Sequence, residues 1–131
     1  MNKILKTLCL AALMATAATT AQAADAQHTF EVGKGSFMLD GKPFVVKAAE
    51  VHYPRIPRPY WEHRIKMCKA LGMNTLCLYV FWNIHEQREG EYDFTGQNDV
   101  AEFCRLAQKN GMFVIVRPGP YVCAEWEMGG L

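Results

Sequence analysis

Three clusters of polar and aromatic residues interrupt an otherwise apolar pattern. Glu50, His52 and Tyr53 form the first; Tyr79, Trp82, Asn83, His85 and Glu86 the second; Arg117, Tyr121, Glu125 and Trp126 the third. Each follows a short apolar run, so each falls at the carboxyl end of a strand if those runs are strands. A hexose offers hydroxyls around its rim and a weakly apolar C–H face. Carboxylates and amides can take the hydroxyls in pairs, and aromatic rings can stack on the face. Hydrolysing a glycoside further requires two carboxyl groups, about 5 to 5.5 Å apart when configuration is retained. Glu50, Glu86 and Glu125 are eligible by position. Glu125, beside Trp126 and after the Pro118-Gly119-Pro120 turn, is the first choice from spacing, which does not decide between acid, nucleophile and ligand clamp. The competing reading makes Trp82 and Tyr121 core plugs, with Glu50 and Glu86 paired to Arg117 or Arg55 as loop buttresses. His52 and His85 lack an i, i+4 pairing and lie in separate loops, so no metal site is expected.

The elements that position these clusters follow from periodicity. Residues 29–32 alternate apolar and polar, and 36–46 predict a hairpin turning at Asp40-Gly41, its second arm running on to Val51. Pro59 suits a helix start, and Trp61, Ile65 and Cys68 define one apolar stripe that Gly72 ends. Residues 75–80 form a strand, 82–96 a polar, turn-rich connection. A second helix from Asn98 or Asp99 buries Val100, Phe103, Cys104 and Ala107 and stops at Gly111, before a third strand at 112–116. The order β-α-β-α-β predicts parallel strands with right-handed crossovers. A dinucleotide fold would need G-x-G-x-x-G after its first strand, where the sequence has Glu50-Val51-His52-Tyr53-Pro54-Arg55.

At the amino end, Lys3 and Lys6 precede an apolar run over 8–18, and Ala21 and Ala23 frame a cleavage site. This predicts a secretory signal over 1–23 and a secreted or periplasmic protein over 24–131; the run falls far short of the roughly 20 residues that cross a bilayer. Cleavage leaves 12 basic residues against 13 acidic ones. That balance offers no basic patch for nucleic acid or an anionic membrane, and favours a neutral ligand. Cys68, Cys77, Cys104 and Cys123 remain; the first three fall on apolar faces, where buried thiols are commoner than bridges.

Two runs resemble the glycoside hydrolase family 35 β-galactosidases: 78–86, Leu-Tyr-Val-Phe-Trp-Asn-Ile-His-Glu, and 117–131, Arg-Pro-Gly-Pro-Tyr-Val-Cys-Ala-Glu-Trp-Glu-Met-Gly-Gly-Leu. The hairpin over 37–44 and the segment over 50–55 match as well. The resemblance implies a TIM (β/α)₈ barrel, here about its first three βα units preceded by a β-hairpin, since a closed barrel takes about 250 residues. It implies removal of terminal β-galactosyl residues with retention and without a cofactor. Tyr79, Cys123, Ala124 and Glu125 then look like galactose contacts, with Trp82, Asn83, Glu86 and Tyr121 as further pocket lining. Glu125 would take sugar hydroxyls instead of performing the chemistry. The acid/base and nucleophilic glutamates are expected beyond Leu131, so the chain is expected to be a truncated, inactive amino-terminal part of the catalytic domain. In some relatives the cysteine matching Cys123 is bridged to a partner further along. Phe81 and Gln87 stand where the family usually has proline, which bears on loop stiffness. The alternative is a secreted sugar-binding protein without catalysis.

Overall fold

A computed structural model describes residues 28–130; the expected signal over 1–23 lies outside them. The chain divides into two compact units, at Pro43 and Phe44.

In the first, β1 (Phe30–Val32), β2 (Phe37–Leu39) and β3 (Lys42–Phe44) form a sheet in that order, its last strand crossing the division. β1 runs antiparallel to β2, with Phe30 opposite Leu39 and Val32 opposite Phe37. Asp40 (φ 51°) and Gly41 (φ 73°) are both left-handed, as the two-residue hairpin turn requires. Aspartate tolerates this because its short carboxylate bonds locally. Here Oδ1 accepts the Thr29 N–H at 2.9 Å and Oδ2 lies 2.7 Å from His28 Nδ1. The Thr29 bond first, then His28, holds the Asp40 carboxyl below its ordinary range.

The second unit is α/β. β4 (Ala48–Glu50), β5 (Thr75–Tyr79) and β6 (Phe113–Arg117) form a parallel sheet in sequential order, connected through α1 (Trp61–Ala70) and α3 (Val100–Lys109). The expected parallel order is therefore observed. The hairpin arm, however, does not continue to Val51. It ends at Phe44 and the chain restarts as β4, because the Asn74 side chain takes over the backbone between them. Lys47 N–H donates to Asn74 Oδ1 (2.9 Å) and Asn74 Nδ2 donates to the Val45 carbonyl (2.8 Å).

Side chains alternate along β5, so Leu76 and Leu78 face the helices while Thr75, Cys77 and Tyr79 face the other way. Trp61 and Ile65 from α1, Phe103 and Ala107 from α3, and both leucines are fully buried. Trp61 and Phe103 meet edge to face at 5.5 Å, and α1 packs on α3. Asp99 caps α3 by accepting the Glu102 N–H on Oδ1 at 2.8 Å. Gly72 (φ 86°) and Gly111 (φ 68°) end the helices in the left-handed region, where a side chain would be strained. Cys68, Cys77 and Cys104 are half-buried, Cys123 is exposed, and all four are free thiols. Among the described residues no helix is long and apolar enough to cross a membrane.

Candidate functional site

Glu50, Tyr79 and Arg117 are the last residues of β4, β5 and β6, and parallel pairing brings them to one edge of the sheet, with Tyr79 opposite Arg117. The Arg117 guanidinium lies over the Tyr79 ring, 3.7 Å from its centroid, and Nη1 donates to Glu50 Oε2 at 3.0 Å. The other Glu50 oxygen is 2.9 Å from His52 Nε2, and Arg55 Nη1 is 3.1 Å from His52 Nδ1. A guanidinium can only donate, so His52 Nδ1 is the acceptor and its ring proton sits on Nε2, facing Glu50. Arg55 Nη2 then donates to the carbonyls of Ala124 (2.8 Å) and Glu125 (3.1 Å), with the guanidinium 4.9 Å over the Trp126 ring. One chain of hydrogen bonds thus joins the ends of β4 and β6 to the loop after β6, and the end of β5 meets it through the Arg117 guanidinium on the Tyr79 ring.

The loop after β6 is shaped by its backbone. Glu125 is left-handed (φ 49°), and its N–H returns to the Cys123 carbonyl. Val122, fully buried, donates to the Gly129 carbonyl at 2.6 Å. A Cβ on Gly129 would come within 2.4 Å of the Tyr121 ring, so Gly129 is where that ring closes on the loop. Trp126 packs on Phe81 at 4.4 Å and donates from Nε1 to Asn83 Oδ1 at 2.8 Å; the Asn83 amide donates to the Glu127 carbonyl at 3.2 Å. Trp82 Nε1 reaches the Pro118 carbonyl at 3.2 Å. Trp82 and Asn83 therefore tie the second loop to the third. They sit on α2 (Trp82–His85), a single helical turn in a segment whose sequence reads only as polar and turn-rich.

The three clusters do not all remain at the edge. Tyr53 and His85 are withdrawn into the core, where the Tyr53 hydroxyl is hydrogen-bonded to His85 Nε2 and His85 Nδ1 lies 2.8 Å from the Asp93 carbonyl. Burial pushes the Tyr53 phenol well up. Glu86 accepts the Gly90 N–H at 2.8 Å, and its hydrogen bond raises the Tyr92 phenol. Trp82, Asn83 and Glu86 line a surface concavity with Gln87, while Tyr121 is largely exposed. The buttress reading thus holds for Glu50, on Arg117, and Glu86 braces its own loop.

Three polar groups are left over, one of them the hydroxyl of the exposed Tyr121. Tyr79 has a buried ring, yet its hydroxyl has no hydrogen-bond partner among the described residues. Glu125 is exposed and its carboxylate likewise takes no bond among them. Cys123 is exposed beside it and Ala124 half-buried. In sequence Arg55 reads only as a candidate buttress, one of two arginines, with Arg58, in the loop after β4. No three His, Cys, Asp or Glu side chains among the described residues come together as a metal site would require.

The family model described as glycosyl hydrolases family 35 matches residues 36–131, and the chain belongs to this family. Its relatives include the β-galactosidase of Xanthomonas manihotis, 48% identical over 119 residues, covering 91% of this chain and 19% of that protein. The β-galactosidases of Mus musculus and Homo sapiens are each 49% identical over 107 residues, covering 80% of this chain and 16% of theirs. The chain therefore spans under a fifth of the length of the curated relatives it matches. The β-galactosidase structure from the psychrophilic Marinomonas ef1 superposes with a TM-score of 0.53 at 16% identity, over 63% of this chain and 12% of that one, a likeness of fold.

Proposed function

We propose that this chain is the sugar-binding, amino-terminal part of a β-galactosidase catalytic domain that removes terminal β-galactosyl residues with retention. The observation that carries the reading is the state of the three glutamates at the strand ends. Glu50 is engaged by Arg117 and His52, and Glu86 by its own loop, while Glu125 keeps its carboxylate open, as the Tyr79 phenol at the end of β5 does. A hexose can meet both groups through its hydroxyls. Tyr79, Cys123, Ala124 and Glu125 are the galactose contacts in this reading, and Trp82, Asn83, Glu86 and Tyr121 build or rim the pocket. The relatives' names as β-galactosidases support galactose as the sugar and a glycosidase over a non-catalytic binder.

The sequential parallel order, with α1 packed on α3, supports a reading as the first βα units of a (β/α)₈ barrel, whose mouth gathers the strands' carboxyl ends. Retention needs two further carboxyl groups about 5 to 5.5 Å apart. The resemblance to family 35 implies that both lie beyond Leu131 and that the reaction calls for no cofactor. The 131-residue chain should bind galactose, seen as line broadening of the sugar's proton signals, and should not turn over a chromogenic galactoside. Turnover at the rate of a complete β-galactosidase would overturn the assignment. Export with removal of residues 1–23 completes the proposal, and amino-terminal sequencing of the exported protein checks it.

A further inference from the structure

We propose that Arg55 is a positioning residue for the sugar site: it sets the left-handed turn at Glu125 and thereby aims the Glu125 carboxylate. The proposal rests on the reading of Glu125 as a sugar contact. An L-residue other than Asn, Asp or Gly rarely adopts positive φ, because Cβ crowds the following carbonyl and no short side chain compensates. Glu125 does so at φ 49°. In an extended chain successive carbonyls point to opposite sides, whereas here those of Ala124 and Glu125 converge on one nitrogen, Arg55 Nη2, at 2.8 and 3.1 Å. That nitrogen carries two protons, one for each carbonyl. The same turn is closed from the other side by the Glu125 N–H on the Cys123 carbonyl.

Arg55 can impose this geometry because it is itself held. Nη1 is fixed on His52, His52 on Glu50, and Glu50 on Arg117, while the guanidinium plane lies over Trp126. Its contact with Glu125 is through the backbone carbonyl, and no hydrogen bond or ion pair joins the guanidinium to the Glu125 carboxylate. Removing Arg55 therefore changes where that carboxylate points without freeing or neutralising it. Lysine keeps the charge but lacks the planar fork needed to hold His52 and two carbonyls at once.

The test is a double-mutant cycle in the full-length protein, with galactose affinity read by titration calorimetry for Arg55→Met, Glu125→Ala and the pair, and Arg55→Lys as a variant that keeps the cation and the fold. Each single change, and Arg55→Lys with it, is expected to weaken galactose about tenfold, the scale of one charge-assisted hydrogen bond. The double variant should be no weaker than Glu125→Ala alone, since without the carboxylate there is nothing left to aim. A structural role apart from Glu125 would give additive losses, and additivity overturns the proposal, as does wild-type affinity in either Arg55 variant. Wild-type affinity in Glu125→Ala is the distinct result that removes the underlying reading of the sugar contact.

Discussion

Tyr53 leaves β4 and His85 closes α2, and the hydrogen bond between them is the buried tie between two loops that shape the site. Replacing Tyr53 by Phe isolates it. Tyr53 is 0% exposed and His85 3%. The His85 ring proton is on Nδ1, because the Asp93 carbonyl 2.8 Å away can only accept, which leaves Nε2 to receive the Tyr53 O–H. Phenylalanine retains the ring, its edge contact with Trp61 at 6.2 Å and its tilted contact with Phe103 at 5.9 Å, so little apolar burial changes. What remains is a buried imidazole nitrogen without a donor, which costs about 1 to 3 kcal/mol. If opening is local, that is roughly a 5- to 150-fold gain in the open population. Hydrogen exchange read by mass spectrometry on peptides spanning 51–56 and 82–86 measures it, and both should lose protection together. A change below about twofold in either peptide, or nitrogen shifts placing the His85 proton on Nε2, would refute the reasoning.

Arg117→Met uncovers Tyr79 and removes a donor from Glu50. The two charged side chains are 42% and 45% exposed, so solvent screens the ion pair and it contributes little beside the cation–π contact. The urea midpoint should fall only slightly, while near-ultraviolet dichroism reports a looser Tyr79. Asp93 is held below its ordinary value of 3.8 by the Thr95 hydroxyl first, then by the Thr95 amide and Asn98. Because the folded value is depressed, its support is present above pH 3.8 and disappears as pH falls through the lower folded value. The Thr95 amide should lose exchange protection only in that acid range. Among the described residues β6 pairs on one side alone, with Phe113, Ile115 and Val116 each over 40% exposed. The 131-residue chain should therefore self-associate in light scattering as concentration rises, and Ile115→Lys should suppress it.

Much of the second unit was legible because its signals are local. Trp61 and Ile65, or Phe103 and Ala107, lie four apart, and burying one stripe requires that spacing. Asp40-Gly41 announces its turn because few other pairs adopt two positive φ values. The break after Phe44 was hidden, since its cause is the Asn74 amide, 29 residues from Val45. The turn of α2 was equally hidden, for four residues show no period. Polar type also misled at Tyr53 and His85. Both stand in loops among residues that stay at the edge, and each is buried because the other satisfies it.

The same partner logic sorts the edge itself. Arg117 answers Glu50, His52 bridges to Arg55 in its neutral form, and Arg55 is directed at carbonyls and the Trp126 face. Arg55 and Arg117 balance Glu50 and Glu125 in formal charge, yet no cation among the described residues bonds the Glu125 carboxylate. A site meant for an anion would leave a guanidinium open, since Arg forks match carboxylate and phosphate best. Here the guanidinium groups are occupied, and the free groups among the described residues are one acceptor carboxylate and the phenols of Tyr79 and Tyr121, which can donate or accept. That pairing suits hydroxyls on an uncharged ligand, and it follows from which side chains the fold has already used.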